Sequence, residues 1–140
     1  MHRLAAVPGS ASPSDGVVFI EQDPAAAVLL SSADTDLAAL AQEIQARVPV
    51  STLVVHPVTY ALACAEGRVS IVDGPFVEKP LITTGAGDHF NSGFCLGRLM
   101  GLDPAASLLC GVTTSGFYVR TAQSPTIEDL AGMLRHWPAK

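Results

Sequence analysis

Residues 82–94 read ITTGAGDHFNSGF, and this is the most informative stretch of the chain. Gly85 and Gly87 flank Ala86, which permits a tight turn whose successive backbone N–H groups face one concavity. A helix predicted from about Asp88 onward adds the positive end of its dipole to that concavity. The sequence therefore predicts an anion-binding turn that suits a phosphate group.

The acidic side chain at this turn needs an explanation, because a carboxylate repels a phosphate. Asp88 makes chemical sense if its carboxylate takes a proton from a hydroxyl group that attacks the phosphate. An ordinary alternative is that Asp88 caps the helix, which contributes about 1 kcal/mol to stability and no catalysis. The residues alone leave both interpretations open.

Two other phosphate-binding motifs are excluded by spacing. A dinucleotide fingerprint of the form G-x-G-x-x-G would need glycine where the chain has Phe90, whose side chain would block close helix packing. A Walker P-loop needs a Gly-Lys-Ser/Thr sequence, which the chain lacks.

The segment that precedes this turn alternates between strand and helix patterns. Residues 1–16 have loop composition, and the apolar run at 17–20 predicts a buried strand. An Asp-Pro pair then predicts a short helix over 24–30. Apolar residues at helical spacing over 37–48 predict an amphipathic helix that ends near Pro49.

A β-hairpin is predicted next. Residues 51–55, 61–65 and 69–72 are rich in apolar and β-branched side chains, and Glu66-Gly67 is a suitable two-residue turn. Strand, helix, strand and hairpin in succession, followed by packed helices, indicate an α/β layered fold.

Three helices are predicted at the C-terminal end of the chain. Their apolar stripes span 90–99, 108–119 and 127–137. An Asp-Pro pair opens the second helix, and Thr126 with Asp129 makes a capping-box start for the third.

Composition narrows the classes of partner. The 140-residue chain is 49% hydrophobic, which suits one globular domain, and its net charge is −5 with only eight Lys plus Arg. That charge argues against nucleic-acid binding. The apolar stretches are too short for a membrane span or a secretory signal, so we expect a soluble, cytoplasmic protein. Three cysteines without C-x-x-C spacing suggest neither a disulfide framework nor a zinc site.

The sequence TTGAGD at 83–88, followed by Phe90 and by Gly93-Phe94, resembles the C-terminal signature of the ribokinase-like carbohydrate kinases, the phosphofructokinase B family. The resemblance implies a three-layer ribokinase-like fold, of which 17–140 would be the C-terminal part. It also implies transfer of the γ-phosphate of ATP to a hydroxyl of a sugar or related small metabolite, with ATP and Mg²⁺ as cofactors. A homodimer of the full-length enzyme is compatible with it.

The same resemblance implies roles for individual residues. Asp88 would be the catalytic base, and the Gly85-Ala86-Gly87 turn would form the anion hole for the transferring phosphoryl group. The nucleotide site would be formed by Thr84, Gly85, Gly87, His56, Val112 and Gly116. His56 before Pro57 is equally interpretable as a structural turn residue, and His89 is expected to point away from the site.

Three departures from the family pattern limit these implications. Ile82 replaces an Asp that helps several members to hold a monovalent cation, so no potassium site is expected. Residues 56–61 read HPVTYA where the family often has T-x-G-x-x-G, so the nucleotide pocket must be shaped differently or be weaker. The family's Asn-x-x-Glu element has no clear counterpart near 23–27, so the metal ligands stay unassigned.

Complete members of the family are longer than this chain, so we expect the isolated chain to lack the sugar-binding half and to be inactive alone. Two rivals stay open. One is a nucleotide-binding remnant or regulatory module without turnover, which the missing glycines and Ile82 favour. The other is a purely structural α/β domain in which Asp88 only caps its helix.

Overall fold

The structure is a computed structural model that describes residues 14–21, 37–48 and 50–138. Its elements are β1 (Ser14–Glu21), α1 (Leu37–Arg47), β2 (Val50–His56), β3 (Tyr60–Ala65), β4 (Arg68–Asp73), α2 (Ala86–Leu99), α3 (Pro104–Thr121) and α4 (Ile127–Arg135). The strand predicted at 17–20 lies within β1, which starts earlier, inside the segment given loop composition. The helix predicted over 24–30 lies outside the described residues.

The described strands form one mixed sheet in the order β1-β2-β3-β4. Strand β1 is parallel to β2, whereas the β2–β3 and β3–β4 pairs are antiparallel. The predicted hairpin is confirmed, with Ala65 paired to Arg68. Glu66 and Gly67 have φ angles of 51° and 73°, the left-handed values that a two-residue type I′ turn requires.

Successive side chains of the central strands point to opposite faces of the sheet and enter two separate cores. On one face, Leu53, Val55 and Leu62 pack with Ala41 of α1. The other face packs against α2 and α3 through a buried cluster of Val54, Ala61, Ala63, Phe90, Phe94, Leu108 and Val112. The result is three layers, with α1, the sheet and the α2–α3 pair stacked in that order, as predicted.

Helices α2 and α3 run antiparallel and approach each other closely. A Cβ atom added to Gly93 would lie 2.3 Å from Thr114 Oγ1, and one added to Gly111 would lie 2.7 Å from Cε2 of Phe90. At the far end, Gly97 lies against Ser107 in the same way. The contacts fix the position of one helix along the other.

The predicted starts of the last two helices are confirmed. Asp103 is the N-cap of α3, and its carboxylate accepts from the Ala106 N–H at 2.8 Å. Thr126 and Asp129 form a complete capping box at the start of α4. Within the described ranges, no helix has the length and apolar character needed to cross a lipid bilayer.

Candidate functional site

A cleft of about 440 Å³ lies where the end of β2, the loop after β4, the N-terminus of α2 and one side of α3 meet. Each residue that the sequence assigned to the anion turn or the nucleotide site lines this cleft. They are His56, Thr84, Gly85, Ala86, Gly87, Asp88, Val112 and Gly116. The fold thus brings together residues from three separate stretches of the chain, while their roles stay predictions.

The anion turn is a β-turn over 83–86. The Ala86 N–H donates to the Thr83 carbonyl at 3.0 Å, which closes the turn. Gly85, in the third position, has φ 87° and ψ 0°. Thr84 does not have a positive φ. These angles define a type II turn, whose third residue must have a positive φ and is therefore usually glycine.

Helix α2 begins at Ala86 with Gly85 as its N-cap. The Gly85 carbonyl accepts from the His89 N–H at 3.1 Å. The backbone N–H groups of Gly85, Gly87 and Asp88 have no hydrogen-bond partner among the described residues. The sequence predicted that successive N–H groups of the turn face the concavity. This is wrong for Ala86, because its N–H donates to the Thr83 carbonyl. Three donors and the positive end of the helix dipole remain.

Asp88 is the third residue of α2 and has an exposed side chain. Its carboxylate has no hydrogen bond or ion pair with any described residue. The capping interpretation is therefore wrong, since Gly85 occupies the N-cap and the helix starts two residues earlier than predicted. The type II turn leads directly into the helix and leaves the carboxylate free at the cleft.

His56 stands at the end of β2 and stacks on Phe90, with ring centroids 3.9 Å apart and an interplanar angle of 10°. Burial lowers the pKa of His56 from 6.5 to about 4, because the protonated ring would lose hydration. Its ring nitrogens have no hydrogen-bond partner among the described residues. His56 therefore presents a neutral imidazole at the cleft wall near pH 7.

Helix α3 supplies an opposite wall with Val112, Ser115, Gly116 and Val119. Gly116 permits the close approach of Pro75, because a Cβ atom there would lie 2.4 Å from the proline Cγ.

The guanidinium of Arg120 ties the loop after β4 to the same helix. It donates to the Phe76 carbonyl at 2.9 Å and to the Gly116 carbonyl at 2.8 Å. Burial lowers the pKa of Arg120. Leu81 adds a further link, because its N–H donates to the Val119 carbonyl at 2.8 Å. The mouth of the cleft is thus held by hydrogen bonds to α3.

Sequence reasoning missed the side chains that hold the turn from behind. The Tyr118 hydroxyl donates to the Thr84 carbonyl at 3.0 Å. His89 does not line the cleft, as expected, but its Nδ1 lies 2.8 Å from the Gly85 carbonyl and its ring stacks on Tyr118 at 3.6 Å. Tyr118 lies 34 residues from Thr84, so no local pattern could have linked them.

The described residues do not form a metal site on their own. They contain no group of three or more His, Cys, Asp or Glu side chains that could hold an ion. Asp88 is the one carboxylate among the described residues that line the cleft. Ile82 is half-buried and does not line it.

Comparison with known proteins gives a sequence match over most of the chain. A sequence model of the prokaryotic ketohexokinase family matches residues 20–137. A ketohexokinase from Haloferax volcanii is 36% identical over 81 residues, which are 58% of this chain and 22% of that protein.

Solved structures of ribokinase-like kinases share the fold. Phosphofructokinase-2 from Escherichia coli has a TM-score of 0.68 at 20% identity, over 86% of this chain and 40% of that one. The ribokinase from Thermotoga maritima gives 0.65 at 18% identity, over 85% and 42%. A Methanocaldococcus jannaschii nucleoside kinase of the ribokinase family gives 0.62 at 20% identity, over 86% and 40%. The predicted ribokinase-like fold is confirmed, and the chain spans about two-fifths of these structures.

Proposed function

Since this chain belongs to the prokaryotic ketohexokinase family, we propose that it carries the nucleotide-binding and catalytic-base part of a sugar kinase. The enzyme transfers the γ-phosphoryl group of ATP to a hydroxyl of a ketohexose or a related sugar. The related protein from Haloferax volcanii bears the name ketohexokinase, which makes a ketohexose the first acceptor to test.

One observation carries this proposal. Gly85, Gly87 and Asp88 line the cleft, their N–H groups have no partner among the described residues, and the Asp88 carboxylate is unpaired there as well. N–H groups at a helix N-terminus stabilise the negative charge of a transferring phosphoryl group, and they do so without reorganisation. The carboxylate takes the proton of the attacking sugar hydroxyl. Asp88 does not cap the helix, so its carboxylate is available for this role.

Magnesium enters this scheme with the nucleotide. Among the described residues the cleft offers one carboxylate, and Mg²⁺ is usually held by one or two carboxylates together with the phosphates of the nucleotide and water. We therefore assign the ion to the MgATP substrate, and no step above depends on a protein-bound metal.

The remainder of the cleft suits a nucleoside. Val112, Gly116 and Val119 offer an apolar wall on α3, and Pro75 closes against it. An aromatic base gains most of its binding energy from such apolar contact. His56 is neutral here, so it offers the nucleotide a hydrogen-bonding ring and no positive charge.

A binding module without turnover is the second candidate. Residues 56–61 carry side chains where the family often has glycines, and Val58 is 77% exposed, so side-chain atoms occupy a region that glycine would leave open. Such a module would keep the anion turn and bind ATP without transferring its phosphate.

The Asp88→Asn substitution separates the two candidates. Asn keeps the size and polarity of the side chain, so the free energy of unfolding should stay within about 1 kcal/mol of the parent value. ATP affinity should be equal or higher, because a negative charge beside the phosphate is lost. Turnover with ATP, Mg²⁺ and fructose in the complete enzyme should fall by roughly 10²- to 10⁴-fold.

Glu128→Gln is the matched control. Glu128 is an exposed carboxylate in the first turn of α4 and does not line the cleft. Its substitution should leave turnover unchanged. If Asp88→Asn behaves like this control in an active enzyme, Asp88 is not the base. If the parent binds ATP and transfers nothing to any sugar, the binding-module candidate stands instead.

A further inference from the structure

The central peptide of the anion turn can adopt two orientations. Type I and type II β-turns differ by a flip of the peptide that joins their second and third residues. In this turn that peptide joins Thr84 to Gly85. Gly85 tolerates negative and positive φ about equally, so the backbone alone does not select the type II form seen here.

The orientation decides what the turn shows to an anion. The C=O and N–H groups of a trans peptide point in opposite directions. The Thr84 carbonyl points towards the Tyr118 hydroxyl, so the Gly85 N–H points away from Tyr118. A flip would put the carbonyl oxygen of Thr84 where the Gly85 N–H now stands, and a carbonyl oxygen repels phosphate.

Tyr118 is itself held by a second ring. His89 stacks on it with ring centroids 3.6 Å apart and an interplanar angle of 12°. Because a carbonyl oxygen only accepts, the Nδ1 atom of His89 carries the proton that it shares with the Gly85 carbonyl at 2.8 Å. The other ring nitrogen lies 2.9 Å from Ser124 Oγ in the connection between α3 and α4.

We propose that Tyr118, backed by His89, is a positioning residue that holds the Thr84–Gly85 peptide in the type II orientation and so keeps the Gly85 N–H available to phosphate. The turn alone would sample both orientations, and the hydroxyl of α3 selects one of them. The effect on phosphate rests on the proposed function, whereas the effect on the peptide orientation does not.

Tyr118→Phe tests this directly, because it removes the hydroxyl and keeps the ring that stacks on His89. In the 140-residue chain labelled with ¹⁵N and ¹³C, the nuclear Overhauser effect between Thr84 Hα and the Gly85 amide proton is strong for type II and weak for type I. We expect a strong effect in the parent and a clearly weaker one in Tyr118→Phe. The affinity for tripolyphosphate, read from the amide shifts of Gly85, Gly87 and Asp88, should fall about five- to tenfold, as for the loss of one hydrogen bond.

Two further variants complete the experiment. His89→Phe keeps the ring stack and removes the bond to Gly85, and it should weaken the same Overhauser effect even if Tyr118→Phe fails to fold. Thr121→Val removes another hydroxyl near the end of α3, one that bonds the Phe117 carbonyl and the Gln123 backbone, and should leave the turn unchanged.

The outcomes separate this proposal from the proposed function. An Overhauser effect that stays at the parent value in a folded Tyr118→Phe chain overturns the positioning role, even if the affinity falls. If that variant fails to fold, a parent value in His89→Phe overturns it instead. If tripolyphosphate shifts none of the three amides in the parent, the anion site of the proposed function fails. The Overhauser effect alone then decides whether Tyr118 holds the peptide.

Discussion

The His56→Phe variant should remove the loss of stability that the parent shows as the pH falls below about 6.5. The pKa of His56 falls from 6.5 to about 4 in the folded chain, because its imidazole is largely buried against Phe90. A depressed histidine pKa means that the unfolded state binds the proton more tightly. Between about pH 6.5 and pH 4 the folded chain therefore loses stability as the pH falls, and the full contribution is present only above the unfolded pKa.

The size of the effect follows from the shift. One pKa unit corresponds to about 1.4 kcal/mol, and lowering the pH from about 7 to about 5 should cost the folded state close to 2 kcal/mol if His56 were fully shielded. Because part of the ring reaches solvent at the cleft, we expect about 1 to 2 kcal/mol. Phenylalanine keeps the stack on Phe90 and cannot titrate, and no hydrogen bond to a described residue is lost.

The assay is urea unfolding of the parent and of His56→Phe at several pH values between about 7 and about 5, followed by circular dichroism. Other titrating groups contribute equally to both proteins, so the difference between the two curves reports His56 alone. As the pH falls over this range, the free energy of unfolding of the parent should decrease by roughly 1 to 2 kcal/mol more than that of the variant. Parallel curves over this range would refute the reasoning, since they would show that His56 titrates near its ordinary pKa.

The remaining predictions concern packing, the hairpin and cations. Gly93→Ala should destabilise the chain by about 1 to 3 kcal/mol in urea unfolding, because the new methyl group would lie 2.3 Å from Thr114 Oγ1. Gly132→Ala, on a helix with open space at that position, is its control and should stabilise by about 0.5 to 1 kcal/mol. Glu66→Asn should stabilise the chain by about 0.5 to 1 kcal/mol and so raise the melting temperature, because Asn tolerates the φ of 51° better than Glu. An unchanged or lower melting temperature would contradict the type I′ turn. The complete enzyme should turn over equally in potassium and in sodium, because the alkyl side chain of Ile82 cannot coordinate a cation. Clear activation by potassium would show that other residues form the cation site.

Much of the architecture could be predicted because its signals are local. The Glu66-Gly67 pair indicates a tight turn in which both residues have a positive φ. The periodic apolar residues of α2 and α3 define the buried sides of these helices. The capping box of Thr126 and Asp129 is complete within four residues. Local rules of this kind need no knowledge of what packs against the segment.

The details of the candidate site were less predictable. The start of α2 at Ala86 was missed because Gly85 is both the third residue of the type II turn and the N-cap of the helix. The sequence is compatible with each of these roles separately and does not indicate that they coincide. The hydrogen bond from the Ala86 N–H to the Thr83 carbonyl depends on the turn that forms, and the sequence does not determine the turn type. Tyr118 reaches Thr84 only because α3 packs antiparallel to α2, and that is a property of the tertiary structure.

The glycine contacts between α2 and α3 have a consequence for how the site can move. Gly93 meets Thr114, Gly97 meets Ser107, and Gly111 meets Phe90, so the two helices interlock at three levels. Sliding by a single residue would shift one helix about 1.5 Å along the other and force backbone into side chains at each level. Shear between these helices is therefore blocked, and Asp88 keeps a constant distance from the cleft wall on α3. If the chain binds a nucleotide as proposed, any opening and closing around that nucleotide must come from elements outside this pair of helices.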